Sequence, residues 1–440
     1  MTGSVDGSRP AVRIVHLGLG AFHRAHQVWF TERGDPSWGI AAFSGRSTRL
    51  AGTLSAQDCV YTLIERGPDT DTFHRMTSLV RAHGADRQPE LDRLVAHPDV
   101  AVITLTITEA GYLVGPDGAV EPASPLLADI AALRDGGPPR TAPGRLLRAL
   151  RARREADGGP VAVVSCDNLV ANGARAGTAL LALAEEADRD LVAWLKDNVS
   201  FVDTVSDRIT PATTEDDIAL VPRATGHTDH APVVTEPFAE WVLAGELPAG
   251  RPEWERAGAV LVDDIRPFER RKLRLLNGAH LLLALEGLRR GHRTVAEAMA
   301  DPALARLTEE YWSVAATGVP EPDAYLRRLR ARFGNSRIRH SLEQIATDAE
   351  TKLRERIVPV VTELLTSGVD PTPALRVVAA WLTHTGLASD SPGAGTALDR
   401  LAPGWANERR LRHRLDLAGA ELSGPAPAVG PTEHTEGVTQ

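Results

Sequence analysis

The 440-residue chain is short of lysine: Lys196, Lys272 and Lys352 stand against 49 basic residues in all, and the rest are arginine. Arginine keeps its proton at any useful pH, whereas a buried lysine can lose it, so chemistry that needs a titrating cation has few places to reside. Cysteine is scarcer still. Cys59 and Cys166 are too few for a disulfide framework or a cysteine-based structural zinc site, which favours a reducing compartment. No run approaches the roughly 18 apolar residues of a membrane span, and residues 1–10 lack the apolar core of a secretion signal, so a cytoplasmic protein is expected. The net charge of −9 and pI near 5.9, with no basic block, argue against nucleic-acid or anionic-membrane partners. What is present is 43% hydrophobic content, enough for two or three globular cores. A small-molecule ligand and a monomer or homodimer are expected.

Residues Ala11 to Leu17 form an apolar, β-rich run that leads into Gly18-Leu-Gly20-Ala21-Phe22-His23 and then a helix-compatible stretch. Strand, glycine turn and helix open a dinucleotide-binding fold: the first glycine permits the tight turn and the second admits a pyrophosphate to the backbone. The third glycine of that pattern is replaced by His23, so an ordinary turn competes with this reading. The next strand, Gly39–Phe43, is followed by no acid to hold an adenosine ribose, but by Ser44-Gly-Arg46-Ser-Thr48. Arg46 either receives a 2′-phosphate, which leans the cofactor toward NADP over NAD, or is a solvated loop residue.

Further strands at Val100–Thr106, Val161–Ser165 and Val199–Val205 alternate with helical stretches such as Gln88–Ala96 and Gly144–Glu155, the pattern of a parallel sheet with crossover helices. Polar residues cluster just past the strands, where ligands of open α/β sheets bind. Asn168 is either a donor to a substrate oxygen or a helix cap; Asn172 reads as a cap or turn residue; Asp207 either pairs with a cationic base or is a loop acid. The stretch from Val233 to Leu243 reads as a helix and Ala259–Val262 as a strand. His227, Asp229 and His230 read as loop residues, since no third metal ligand stands nearby. No metal is expected.

From Arg266 the pattern turns helical. Asp263 or Asp264 can cap a helix with Pro267 in its first turn, and an apolar run from Leu281 to Leu288 continues it. At 100° per residue, Lys272, Glu269, His280 and Asn277 share one side, together with Leu273 and Leu276. Helices follow at Val295–Met299, Ala303–Ala316, Pro322–Arg332, Arg339–Leu365 with Pro359 kinking or ending it, and Pro373–Leu382. The expected architecture is α/β for residues 1–262 and all-α for residues 263–422, with a cleft between them and a disordered tail over 423–440.

A dinucleotide on the sheet edge leaves three oxidoreductase layouts. A zinc alcohol dehydrogenase needs Cys and His ligands that this chain does not offer in a recognisable spacing. A short-chain dehydrogenase needs Tyr-x-x-x-Lys, and no tyrosine here has lysine four residues on. What remains is a metal-independent enzyme in which neutral Lys272 takes a hydroxyl proton while hydride leaves for the nicotinamide. Asn168 and Asn277 then donate to the oxygen as it gains charge, and His280 orients a substrate hydroxyl. Burial must lower the lysine pKa toward neutrality for this to work.

The stretches Ile14-Val-His-Leu-Gly-Leu-Gly-Ala-Phe-His-Arg-Ala-His26, Thr106-Ile-Thr-Glu109-Ala-Gly-Tyr112, Cys166-Asp-Asn-Leu169, Asp207-Arg-Ile-Thr-Pro211 and Lys272-Leu-Arg-Leu-Leu-Asn-Gly-Ala-His280 together resemble the polyol-specific long-chain dehydrogenases, a group that includes mannitol 2-dehydrogenase and fructuronate reductase. The resemblance runs from about Val12 to Leu382. It implies a Rossmann-type N-terminal domain and a largely helical C-terminal domain, NAD or NADP as cofactor, and a polyol, ketose or uronate as substrate. It implies Lys272 as catalytic lysine, Asn168 and Asn277 as the oxyanion pair, Asp207 as the acid near the lysine, His280 as a substrate ligand and Glu269 as a gate for proton exit. Cofactor contacts are then expected from Gly18, Gly20, Ala21, Phe22, Arg46, Thr106 and Glu109. Ala110 departs from the lysine of many relatives, and Asp348-Ala-Glu-Thr-Lys352-Leu-Arg only partly matches the uronate-reductase pattern. Lys352 keeps a cation where a substrate contact is expected. The competing expectations are a fructuronate-reductase-like enzyme and a sugar-binding regulatory protein that retains the fold.

Overall fold

The computed structural model describes residues 9–45, 47–108, 111–112, 125–388 and 391–422. Arg46, Glu109, Ala110 and the tail 423–440 lie outside the described residues. The chain divides into two units, Met1–Glu269 and Arg270–Gln440.

The first unit is built from β1 (Val12–Leu17), α1 (Ala21–Ala25), α2 (Gln27–Gly34), β2 (Gly39–Phe43), α3 (Arg49–Ala56), β3 (Tyr61–Arg66), β4 (Asp71–Met76), β5 (Leu79–His83), α4 (Gln88–Ala96), β6 (Val102–Leu105), α5 (Leu126–Arg134), α6 (Ala142–Glu155), β7 (Val161–Ser165), α7 (Asn172–Ala187), α8 (Arg189–Asn198), β8 (Val199–Asp207), α9 (Glu215–Thr225), β9 (Val233–Thr235), β10 (Glu240–Ala244) and β11 (Val260–Leu261). The main sheet has the order β11-β10-β8-β7-β6-β1-β2-β5, parallel from β8 through β5, with β10 antiparallel to β8. Both faces are covered, which is why the strands read as unbroken apolar runs. Val15, Leu17, Ala41, Ile103, Leu105 and Val163 pack to one face, while Ile14, Ile40, Ala42, Val102, Ala162 and Val164 pack to the other. From β1 the chain winds outward through β2 to β5, then returns to lay β6 on the opposite side of β1. The carboxyl ends of β1 and β6 therefore flank a topological switch point.

Two expectations from the sequence are corrected by the structure. Residues 233–243 are not a helix. They form β9, which joins β3 and β4 in a separate three-stranded sheet, and β10, which extends the main one. Pro237 between them cannot donate to a helical ladder, and Trp241 and Leu243 enter the sheet core instead. The stretch 339–365 has the break expected near Pro359 but is not continuous before it, forming three helices, Leu342–Ala346, Ala349–Arg356 and Val358–Ser367.

The second unit is helical. After α10 (Arg266–Arg271) and the π-helical turn Lys272–Asn277 come α11 (Gly278–Arg289), α12 (Val295–Ala300), α13 (Pro302–Ala315), α14 (Pro322–Phe333), α15 (Leu342–Ala346), α16 (Ala349–Arg356), α17 (Val358–Ser367), α18 (Thr372–His384), α19 (Pro392–Leu401) and α20 (Arg409–Leu422). The breaks in 339–365 have local causes. Asp348 adopts a left-handed conformation (φ 54°), and Pro359 sits in the first turn of α17, where its missing N–H costs nothing. Helix α11 is the axis of the core, buried along Leu281 to Leu285 among residues of α12, α13, α15 and α18.

Candidate active site

At the switch point, Gly18 adopts φ +114°, and a Cβ there would lie 2.0 Å from the Thr106 carbonyl oxygen, so only glycine fits against the end of β6. The amides of Gly18 and Leu19 both donate to the Phe43 carbonyl at the end of β2, at 2.9 and 3.0 Å. Gly20 is extended and open, the nearest atom to a Cβ being the Gly18 carbonyl oxygen at 3.5 Å, and Ala21 and Phe22 begin α1 directly after it. Gly18, Gly20, Ala21, Phe22 and Thr106 thus gather at one point of the sheet edge. A tight glycine turn, an uncrowded second glycine and a switch point fit a dinucleotide's diphosphate.

Asn168 follows β7 on the same edge and is exposed, while Asp207 ends β8 and is 5% exposed. Their neighbours hold the edge in shape. Asp167 accepts hydrogen bonds from the Thr108 amide (2.8 Å) and the Tyr112 hydroxyl (2.6 Å), and burial beside that carboxylate pushes the Tyr112 phenol well up. Asn172 is fully buried and bridges strands: its Nδ2 donates to the carbonyls of Asp167 and Thr204, and its Oδ1 accepts from the Thr204 amide. Glu269 accepts the amide of Ala171 at 2.7 Å, in the loop that carries Asn168. The sequence signals Asn168 but not Asp167, whose acid in a turn looks the same whether it faces a ligand or backbone. Asp229, between the two loop histidines, spends its carboxylate on Gln57 and on the amides of Thr62 and Ala231.

In the second unit Lys272, Asn277 and His280 lie on one helical rod, each at least nine-tenths buried. Lys272 opens the π turn and Asn277 closes it. The wheel drawn at 100° per residue therefore fails here, because one added residue in a turn rotates the rest of the helix by roughly 100°. Leu276 accordingly enters the core while Leu273 does not. Two side chains of α13 meet carbonyls of the π turn: Tyr311 Oη donates to Arg274 O and Trp312 Nε1 to Leu275 O, both at 2.8 Å. Gly278 makes room for Tyr311, since a Cβ there would lie 1.9 Å from the Tyr311 hydroxyl. At the helix start, Asp264 accepts the Arg266 amide at 3.0 Å.

Among the described residues, Asn277 Oδ1 and His280 Nε2 are buried without a hydrogen-bond partner, polar atoms of the kind a bound ligand satisfies. The His280 ring stacks on Phe333 (4.5 Å between centroids) and meets His340 edge-on. Burial, with His340, Arg332, Arg356 and Lys272 around it, holds its pKa well below the usual histidine range, so it is neutral. Lys352, on α16, turns its ammonium onto the carbonyls of Ile345 (3.0 Å) and Thr347 (2.6 Å) at the end of α15.

A doubly wound sheet with a glycine turn at its switch point, followed by a helical domain, defines a Rossmann-type oxidoreductase. The chain belongs to the mannitol dehydrogenase family: the family's Rossmann-domain model matches residues 12–256 and its C-terminal-domain model residues 264–412. It is 34% identical to D-mannonate oxidoreductase of Escherichia coli, over 93% of this chain and 86% of that protein. It is 33% identical to mannitol 2-dehydrogenase of Cereibacter sphaeroides, over 89% and 84%. In structure it is similar to Pseudomonas fluorescens mannitol 2-dehydrogenase, solved as a ternary complex with NAD and D-mannitol, with a TM-score of 0.82, 31% identity and coverage of 95% and 93%.

Proposed function

We propose that the chain is a metal-independent, NAD(P)-dependent enzyme that interconverts a sugar alcohol and its ketose, with Lys272 as general base and acid. The observation that carries this reading is the buried trio of Lys272, Asn277 and His280 on one π-interrupted helix, two of whose polar atoms have no partner among the described residues. Bound at the glycine turn, a nicotinamide cofactor would accept the hydride on oxidation and return it on reduction. Neutral Lys272 takes the proton of the reacting hydroxyl. The Nδ2 groups of Asn168 and Asn277 donate to that oxygen as negative charge develops, which stabilises the transition state more than the ground state, while Asn277 Oδ1 accepts from a neighbouring substrate hydroxyl. His280, kept neutral, offers Nε2 to a second substrate hydroxyl without adding charge. Asp207 favours the ammonium form once Lys272 holds the proton, and Glu269, one oxygen already anchored by Ala171, passes it outward.

A uronate substrate is the second reading, supported by the likeness to D-mannonate oxidoreductase. There Lys352 would face the carboxylate, although its ammonium already donates to two backbone carbonyls. The test is a screen at several pH values of mannitol, arabinitol and sorbitol, and in reverse of fructose and fructuronate, with NAD(H) and NADP(H) separately. Oxidation of a polyol that falls about 10³-fold in Lys272→Ala is expected, the scale of a positioned acid–base group. Activity largely retained in Lys272→Ala overturns the lysine mechanism, and a higher kcat/KM for fructuronate than for any ketose overturns the polyol assignment.

A further inference from the structure

Beneath the glycine turn a chain of hydrogen bonds runs through a buried histidine. His16, the fifth residue of β1, is fully buried, with Nδ1 2.8 Å from Thr104 Oγ1 and Nε2 3.0 Å from Thr106 Oγ1. Thr106 Oγ1 in turn donates to the Gly18 carbonyl at 2.9 Å. A hydroxyl has one proton. With that of Thr106 placed on Gly18, His16 Nε2 carries the ring hydrogen and donates to Thr106, on the side where the ring also meets the Gly18 backbone. Burial holds His16 far down, at about 3, so the ring is neutral, and Nδ1 then accepts from the Thr104 hydroxyl. The order is Thr104 to His16 to Thr106 to Gly18.

The same ring does a second job. His23, in the place of the third glycine of the dinucleotide pattern, lies flat on His16, with centroids 3.3 Å apart and planes 5° from parallel. A glycine at that position lets helix and strand approach closely. Here two stacked imidazoles join α1 to β1 instead.

We propose that His16 is a positioning residue of the dinucleotide site, fixing through Thr106 the carbonyl side of the Gly18 turn whose amide side is fixed by Phe43. This rests on the reading of that turn as a dinucleotide site. Its effect is preorganisation: a turn tied on both sides has less conformational freedom to lose when a diphosphate settles on it. The relay is neutral throughout and places no charge beneath the cofactor.

The experiment titrates full-length wild type, His16→Phe, Thr104→Val and Thr104→Ser with NADH and NADPH by fluorescence, with melting temperatures alongside and kinetics at saturating dinucleotide. His16→Phe and Thr104→Val, which break the relay at points that do not face the cofactor, should each weaken dinucleotide binding about tenfold, while Thr104→Ser, which keeps the hydroxyl on His16 Nδ1, stays within about twofold of wild type. The KM for dinucleotide should rise with little change in kcat, a split that a loss of folded protein does not produce. If His16→Phe does not fold, the valine and serine pair at Thr104 decides. Variants that melt lower yet bind dinucleotide as tightly as wild type overturn the positioning role and leave the function intact. A wild-type chain that binds neither dinucleotide overturns both.

Discussion

Asp167 and Asn168 are adjacent, yet their roles are not equally visible in the sequence. Asn168 stands out because an amide past a strand end suits an oxyanion, whereas Asp167 acts through partners 59 and 55 residues away that no local pattern reveals. One of them, Thr108, has φ +68°, a left-handed conformation that a β-branched residue adopts only when its surroundings impose it. The Asp167 carboxylate supplies that constraint by taking the Thr108 amide. Asp167→Asn turns one acceptor into a donor that faces donors already in place, so one bond is lost in a buried setting. A loss of about 2 kcal/mol is expected in urea denaturation, the scale of a hydrogen bond to a charged group. Unchanged stability would show that Asp167 holds nothing. Lys272, by contrast, stands out from composition alone, because a lysine in an arginine-rich chain is a candidate titrating group, the role proposed for it above.

The element least legible in the sequence is the rod from Arg266 to Arg289. Its existence, its capped start and its apolar continuation follow from local pattern, but the π turn at Lys272–Asn277 does not. An α-helical wheel assumes constant phase, and the residues that settle the phase, Tyr311 and Trp312, come from α13, more than thirty residues on. Gly278 is visible only as one glycine in a helix. The predicted effect of Gly278→Ala is therefore the reverse of helix propensity, which would favour alanine by about 1 kcal/mol. The added methyl meets the Tyr311 hydroxyl, and overpacking of that kind costs about 1–3 kcal/mol. Tyr311→Phe leaves the Arg274 carbonyl without its donor and should destabilise by about 1–3 kcal/mol. In the double variant the hydroxyl contact is gone and only the ring carbon Cζ, 2.7 Å from the added Cβ, still presses on it, so the two effects should sum to more than the measured loss. Strict additivity in that cycle would mean the methyl and the hydroxyl do not meet. The strand pair at 233–244 escapes local pattern for the same reason: β9 and β10 are strands because β3 and β8 receive them.

At the scale of the molecule, alternation of strands and helices makes the α/β unit and the helical unit legible, because patterning along the chain is set by which faces are buried. The second sheet is not, since its pairing of β3 with β9 joins segments far apart in sequence. Both units share one electrostatic feature: buried histidines held neutral. Burial lowers the pKa of His16 and His23 in the first unit and of His280 in the second. The consequence for stability has a definite sign. Below the ordinary value of 6.5 an unfolded chain takes up protons on these rings that the folded chain refuses. The stability they allow is therefore fully present above pH 6.5 and is lost as pH falls, for His16 down to about 3. Carboxylates with lowered pKa values, such as Glu65, Asp217 and Glu363, act in the same direction but only near and below their ordinary values of 4.5, 3.8 and 4.5. The interval from pH 7.5 to 5.5 isolates the histidines. Urea unfolding followed by tryptophan fluorescence should give a free energy lower at pH 5.5 by about 1 kcal/mol or more per buried histidine. His16→Phe should be less stable at pH 7.5 but show a shallower dependence on pH. A free energy that is flat across the interval would mean that these rings are protonated in the folded chain, and a His16→Phe slope as steep as wild type would mean the same of His16, whose Nδ1 could then not accept from Thr104.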